Sequence, residues 1–172
     1  PKVGDIYYSD GTWSTSLLQR DGVEPIGVVF YVGVAQEFGD NAAYYKVKDG
    51  SGAMSEFHGY VVALQDATYY DGSNHSVAWS FFKGSDEGCS CSVNTDDFLG
   101  YNNTVAIRNR ANADFGGLSG ESSNFPAAYY ATDFYETQCP APAQSSGWFL
   151  PSAHQLKYIY DKAYFAPNGD SE

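Results

Sequence analysis

The run Ile26 to Val34 (IGVVFYVGV) constrains this chain more than any other stretch. Ile26, Val28, Phe30, Val32 and Val34 fall on one face of an extended backbone, and Gly27, Val29, Tyr31 and Gly33 on the other. Apolar side chains on both faces define a central strand that must be covered on each side. The glycines would let a neighbouring element come close. The run is interrupted by glycine and is much shorter than the roughly 18 apolar residues of a membrane-spanning helix.

Such a strand needs partners. Asp5 to Tyr8 reads as a short strand before the Asp10-Gly11 turn, and Tyr44 to Val47 as another before Asp49-Gly50. Phe57 to Leu64 reads as a second buried strand, because Val61, Val62, Ala63 and Leu64 leave no polar face. His75 to Phe82 alternates, with Val77, Trp79 and Phe81 on one side, as a half-buried strand does. Lys83 to Leu99 has little periodicity and reads as a long loop.

Three helices are expected. The first runs from a cap at Asn102 or Asn103 to about Ala111, with Ile107 and Ala111 inward. The second spans Phe125 to Glu136, with Pro126 at its first position and Ala127, Tyr130, Ala131 and Phe134 on one face. The third is capped by Ser152 and turns Leu156, Ile159, Tyr160 and Ala163 inward. Residues 167–172 are polar and expected to fray. With no repeat and no linker, residues 1–172 read as a single α+β domain of antiparallel strands and two or three helices.

The 172 residues carry 21 acids against 9 Lys and Arg, a net charge of -12. That excludes sequence-independent nucleic-acid binding and docking on an anionic membrane, both of which need clustered cations. Aromatics make up 17% of the chain, too many for a disordered acidic tail. Tyr7, Tyr8, Tyr44, Tyr45, Tyr69, Tyr70 and Tyr129 are more than one core requires, and exposed Tyr beside Asn and Asp is good material for a binding surface. The chain opens on Pro1 rather than Met, as after removal of an export signal or after trimming.

Chemistry-bearing motifs are sparse. His58, His75 and His154 are isolated and form no zinc-ligand spacing. No nucleophile elbow and no phosphate loop is present. Cys89, Cys91 and Cys139 permit one intrachain disulfide, and Cys139 with either of the others would close a loop of roughly 50 residues worth a few kcal/mol. Cys89 with Cys91 would be strained. Asp86, Glu87, Asp96 and Asp97 flank the cysteine pair and offer oxygens to a cation such as calcium, as do Asp66 and Asp71. The ordered calcium-loop pattern is missing, and a solvated acidic surface is the plainer reading of the same residues.

Several stretches, taken in order, resemble a known group. They are VGDIYYSDGTWST (Val3 to Thr15), PIGVVFYVG (Pro25 to Gly33), HGYVVALQDA (His58 to Ala67), GYNNT (Gly100 to Thr104), FPAAYYA (Phe125 to Ala131) and GWFLPSAHQLKYIY (Gly147 to Tyr160). They resemble surface proteins of gut Bacteroidetes related to fimbrillin-associated modules and to the Legionella collagen-like protein C-terminal domain. The resemblance implies a C-type lectin-like fold, export to the outer-membrane surface or beyond, and a role in adhesion or fimbrial assembly rather than catalysis. Its implied partners are a glycan or protein on a host or bacterial surface, fimbrial subunits, or a chain segment that completes the sheet. Relatives carry Gly at the position of His154 and continue into further strands, so the fold is expected to be incomplete at its C-terminus or completed by another chain.

These readings converge on a binding module that displays polar and aromatic loops, with Asp96, Asp97, Tyr101 and Asn102 as candidate ligand-binding residues. The alternatives are an assembly subunit that pairs through an open sheet edge and a hydrolase with dispersed catalytic residues. No cofactor is expected beyond the calcium option.

Overall fold

The computed structural model describes residues 1–67, 77–80, 89–119 and 125–163. Their centre is an open antiparallel sheet of β1 (Ile6–Tyr8), β2 (Trp13–Ser14), β3 (Pro25–Val32) and β4 (Gly59–Ala63), in the order β2-β1-β3-β4. The apolar run identified in the sequence is the central strand β3, paired with β1 on one side and β4 on the other. Gly27 is needed there. A Cβ at that position would overlap the Val61 side chain and meet the Val62 carbonyl oxygen at 2.8 Å.

The helices are α1 (Gly100–Phe115), α2 (Pro126–Tyr129), α3 (Tyr135–Gln138) and α4 (Ala153–Ala163), with a π-helical turn at Tyr130–Phe134 joining α2 to α3. Together they make a small α+β architecture with helices flanking an open sheet. Two short 3-10 turns, Gln36–Phe38 and Ala42–Tyr44, follow β3. In place of a strand at Tyr44 to Val47, Lys46 and Ala53 form a single antiparallel bridge around the Asp49-Gly50 turn.

One core cluster gathers Phe30, Ala35, Tyr45, Tyr60 and Phe98, with Tyr158 and Ile159 of α4 packed against it. Asp40 is buried inside it. Its Oδ2 accepts hydrogen bonds from Tyr45 Oη at 2.6 Å and from Tyr60 Oη, and its Oδ1 accepts from the Asn41 amide at 2.7 Å. A buried carboxylate is tolerated only when its lone pairs are taken up in this way. A second cluster holds Ile107 and Ala111 of α1 against Phe125 and Ala128, as the spacing of the first two predicts.

Several expectations need correction. Helix α1 begins at Gly100 with no side-chain cap, so neither Asn102 nor Asn103 caps it. In the second helical segment the π turn inserts an extra residue per turn and rotates the face. Ala128, Tyr130, Thr132 and Tyr135 are buried, rather than the straight stripe Ala127, Tyr130, Ala131 and Phe134. In α4 Gln155 is fully buried and Ile159 packs on the core as expected, while Leu156 and Tyr160 are 54% and 66% exposed. Of the half-buried strand expected at His75 to Phe82, residues 77–80 are described and carry no strand, and Trp79 is 49% exposed. The rest of that stretch, the Asp71-Gly72 turn and the 167–172 tail lie outside the described residues.

The expected disulfide is overturned. None of the three cysteines is in a disulfide. Cys89 and Cys91 pack on the Ile107–Phe125 cluster, whereas Cys139 sits at the end of α3 against the Tyr135 side chain. Burial, then the neighbouring Cys89, pushes the Cys91 thiol up to about 11. Burial also raises Cys139, which the Tyr135 hydrogen bond partly offsets.

Candidate functional site

The segment GWFLPSAHQL builds a clip at the start of α4. The Ser152 amide donates to Gln155 Oε1 at 2.8 Å, and the Gln155 amide donates back to Ser152 Oγ at 3.2 Å. This reciprocal box satisfies two helix-end donors and draws Gln155 into the interior. Ser152 Oγ also donates to the Asp97 carbonyl at 2.6 Å. The Leu150 amide donates to Thr104 Oγ1 at 3.0 Å, and Thr104 Oγ1 donates to the Gly100 carbonyl at 2.8 Å. Gly100 permits this approach, since a Cβ there would lie 2.7 Å from the Ser152 nitrogen. The Trp148 indole N–H donates to the Cys139 carbonyl at 2.7 Å. The motifs GYNNT and GWFLPSAHQL therefore meet, and they hold residues 147–151 at a fixed place beside the sheet.

Between this segment and β4 lies a cleft of about 870 Å³. Phe30, Tyr45 and Tyr60 reach it from the core, Trp148, Phe149 and Leu156 from the clip side, and Trp13 and Phe57 from the sheet side. The two sides are tied together, largely through residues of the lining itself. The Gln65 backbone is hydrogen-bonded to the Tyr135 hydroxyl. The Lys48 amide donates to the Ser145 carbonyl at 2.9 Å. Asp10, Asp49, Glu56 and Asp66 also line it, and no Lys or Arg side chain does so among the described residues. Hydrogen bonds from Thr12 hold the Asp10 carboxyl below its ordinary range, and hydrogen bonds from Ser51 do the same for Asp49. Both are therefore anionic at neutral pH.

The candidates from sequence cluster elsewhere, at the start of α1. Asp97 is buried, with Oδ1 accepting from the Leu99 amide at 3.2 Å and Oδ2 from Ser92 Oγ. Tyr101 stacks on Tyr45 with ring centroids 4.6 Å apart, and its hydroxyl accepts from the Lys46 amide at 3.2 Å. Asp96 is exposed and Asn102 half-buried. None of the four lines the cleft. Among the described residues no group of three or more His, Cys, Asp and Glu is placed to hold a metal ion. Asp71, Asp86 and Glu87 fall outside those residues.

His58 pairs with Glu56 at 3.0 Å and packs on Trp13 with ring centroids 5.0 Å apart, so it belongs to the cleft wall. His154 packs against the stacked pair Phe38 and Phe98. Neither is hydrogen-bonded to a serine or cysteine. Sequence reasoning missed the cleft because residues 13, 57, 148 and 156 lie far apart along the chain. The excess of aromatics was its one visible sign. No helix among the described residues is long and apolar enough to cross a membrane. Comparison with protein-family models, characterised proteins and solved structures finds no match to this chain.

Proposed function

We propose that this chain is a binding module of an exported surface assembly, with the cleft beside β4 as its ligand site and no bond chemistry of its own. One observation carries the reading. The cleft is large, aromatic, rimmed by acids and open to solvent, within the size range of a ligand pocket. A concave, mostly apolar surface with a few polar groups at its rim is the form that ligand sites take. The finer reading, a C-type lectin-like domain of the fimbrillin-associated kind, rests on the resemblance of the quoted motifs. Export and a surface location rest on the resemblance alone.

The test compares two variants on arrays of glycans and of extended peptides, with and without calcium. Leu156→Asp places a charge in the cleft at an exposed position. Asp96→Ala alters the loop before α1 and leaves the cleft intact. The reading predicts saturable binding that Leu156→Asp abolishes and Asp96→Ala preserves. The reverse pattern would move the site to that loop.

A further inference from the structure

Strand β4 is the edge of the sheet. The Leu64 amide donates to the Ile26 carbonyl at 3.2 Å, and Val62 faces Val28 in the same register. On the far side of β3, the Val29 amide donates to the Asp5 carbonyl and the Gly4 amide to the Val29 carbonyl. Backbone groups alternate in direction along an antiparallel ladder. Residues 62 and 64 therefore spend theirs on β3, while 61, 63 and 65 point outward. Gln65 is engaged by the Tyr135 hydroxyl. Val61 and Ala63 have no outward hydrogen-bond partner among the described residues, and both line the cleft. The sequence of β4, Gly-Tyr-Val-Val-Ala, has no Lys and no Pro, the residues that natural edges use to refuse a new strand.

We infer that the cleft takes an added β-strand from a partner polypeptide, hydrogen-bonded to Val61 and Ala63, with apolar side chains at alternate positions and Lys or Arg at its flanks. The partner's chemistry follows from the lining. The outward N–H and C=O groups ask for backbone, and the aromatic walls ask for apolar side chains. Asp10 is already paired with Arg20 and Glu56 with His58, but Asp49 and Asp66 pair with no Lys or Arg among the described residues and ask for cations. At about 3.3 Å per residue, the five residues of β4 span roughly 17 Å, the reach of a short strand. A second copy of this chain fits poorly, since it would bring an acidic rim against an acidic rim in a molecule of net charge -12. A glycan would leave the strand edge without its matching donors and acceptors. The inference rests on the cleft being the ligand site.

The test uses the intact protein and the capped peptide KVTVTVK as probe, by calorimetry. The affinity should fall as salt rises. Exchanging both Lys for Glu should weaken binding about tenfold or more, and N-methylating the amides of one parity should do the same, while the other parity changes it less than about threefold. Equal loss from both parities, or indifference to the flanking charge, would overturn the strand. A Leu156→Asp-sensitive glycan binder with no peptide binding would also overturn it while leaving the cleft as the site. Absence of any binding that responds to Leu156→Asp would remove both. Sedimentation of the free protein supplies the remaining outcome, since a homodimer that excludes the peptide contradicts the inference.

Discussion

At the scale of single residues, the fold depends on a few polar groups that a hydrophobicity pattern cannot rank. Gln155 is fully buried and closes the box with Ser152, whereas its neighbour Leu156 stands half in solvent. Gln155→Ala should cost about 2 kcal/mol, because the Ser152 amide is then buried without a partner. Leu156→Ala should change stability by less than about 0.5 kcal/mol. Urea denaturation of the two variants checks the order, and a larger loss at Leu156 would contradict it. Gly100→Ala should cost about 2 kcal/mol by forcing backbone apart. The tyrosines around Asp40 make a prediction about pH. Burial raises Tyr45 and Tyr60 above the ordinary value of 10.0, with the Asp40 carboxylate adding to it, and burial and Glu37 push Tyr31 up to about 12. These phenols are neutral in the folded state. Their contribution is complete below pH 10 and is lost as pH climbs from there through the folded-state values. The tyrosinate absorbance of Tyr45 and Tyr60 should therefore appear only above pH 10 and together with loss of circular dichroism. A single smooth phase with the fold intact would refute this.

At the scale of elements, legibility followed the source of the signal. Strands β1, β3 and β4 and the inward pair Ile107 and Ala111 were visible, because apolar side chains at strand or helix spacing decide them. The start of α4 was visible through Ser152. The register of its face was not. The capping box turns Gln155 inward, and the apolar Leu156 that a pattern would bury is left on the cleft. The second helical segment went astray for a different reason, since a π turn shifts the face by one residue and leaves no compositional mark. That turn is braced from α1. Arg108 donates to Asp133 Oδ2 at 3.0 Å, to Asp133 Oδ1 at 2.6 Å and to Thr132 Oγ1 at 3.1 Å. The pair is partly exposed, so screening reduces its worth. Arg108→Ala should cost about 1 kcal/mol in low salt and less in high salt, as read from urea midpoints. An equal cost at both salt concentrations would deny the ion pair any role.

At the scale of the molecule, net charge was readable from composition, but the cleft was not. It forms only when β4, the 46–53 hairpin, the clip and α4 come together, and no local pattern spells out that arrangement. The cysteines teach the same lesson in reverse, since an available pairing in the sequence was cancelled by where the chain carries Cys139. With no disulfide among the three cysteines, the melting temperature should be the same with and without a reductant, and a drop on reduction would contradict the assignment.

The open edge of β4 is the feature on which the functional account turns, and amide hydrogen exchange reads it directly. With KVTVTVK near saturation, the Val61 and Ala63 amides should exchange about tenfold more slowly or better, while Val62, already bonded to β3, stays unchanged. If Val61 and Ala63 exchange at the same rate in the bound and free protein, the strand does not add there.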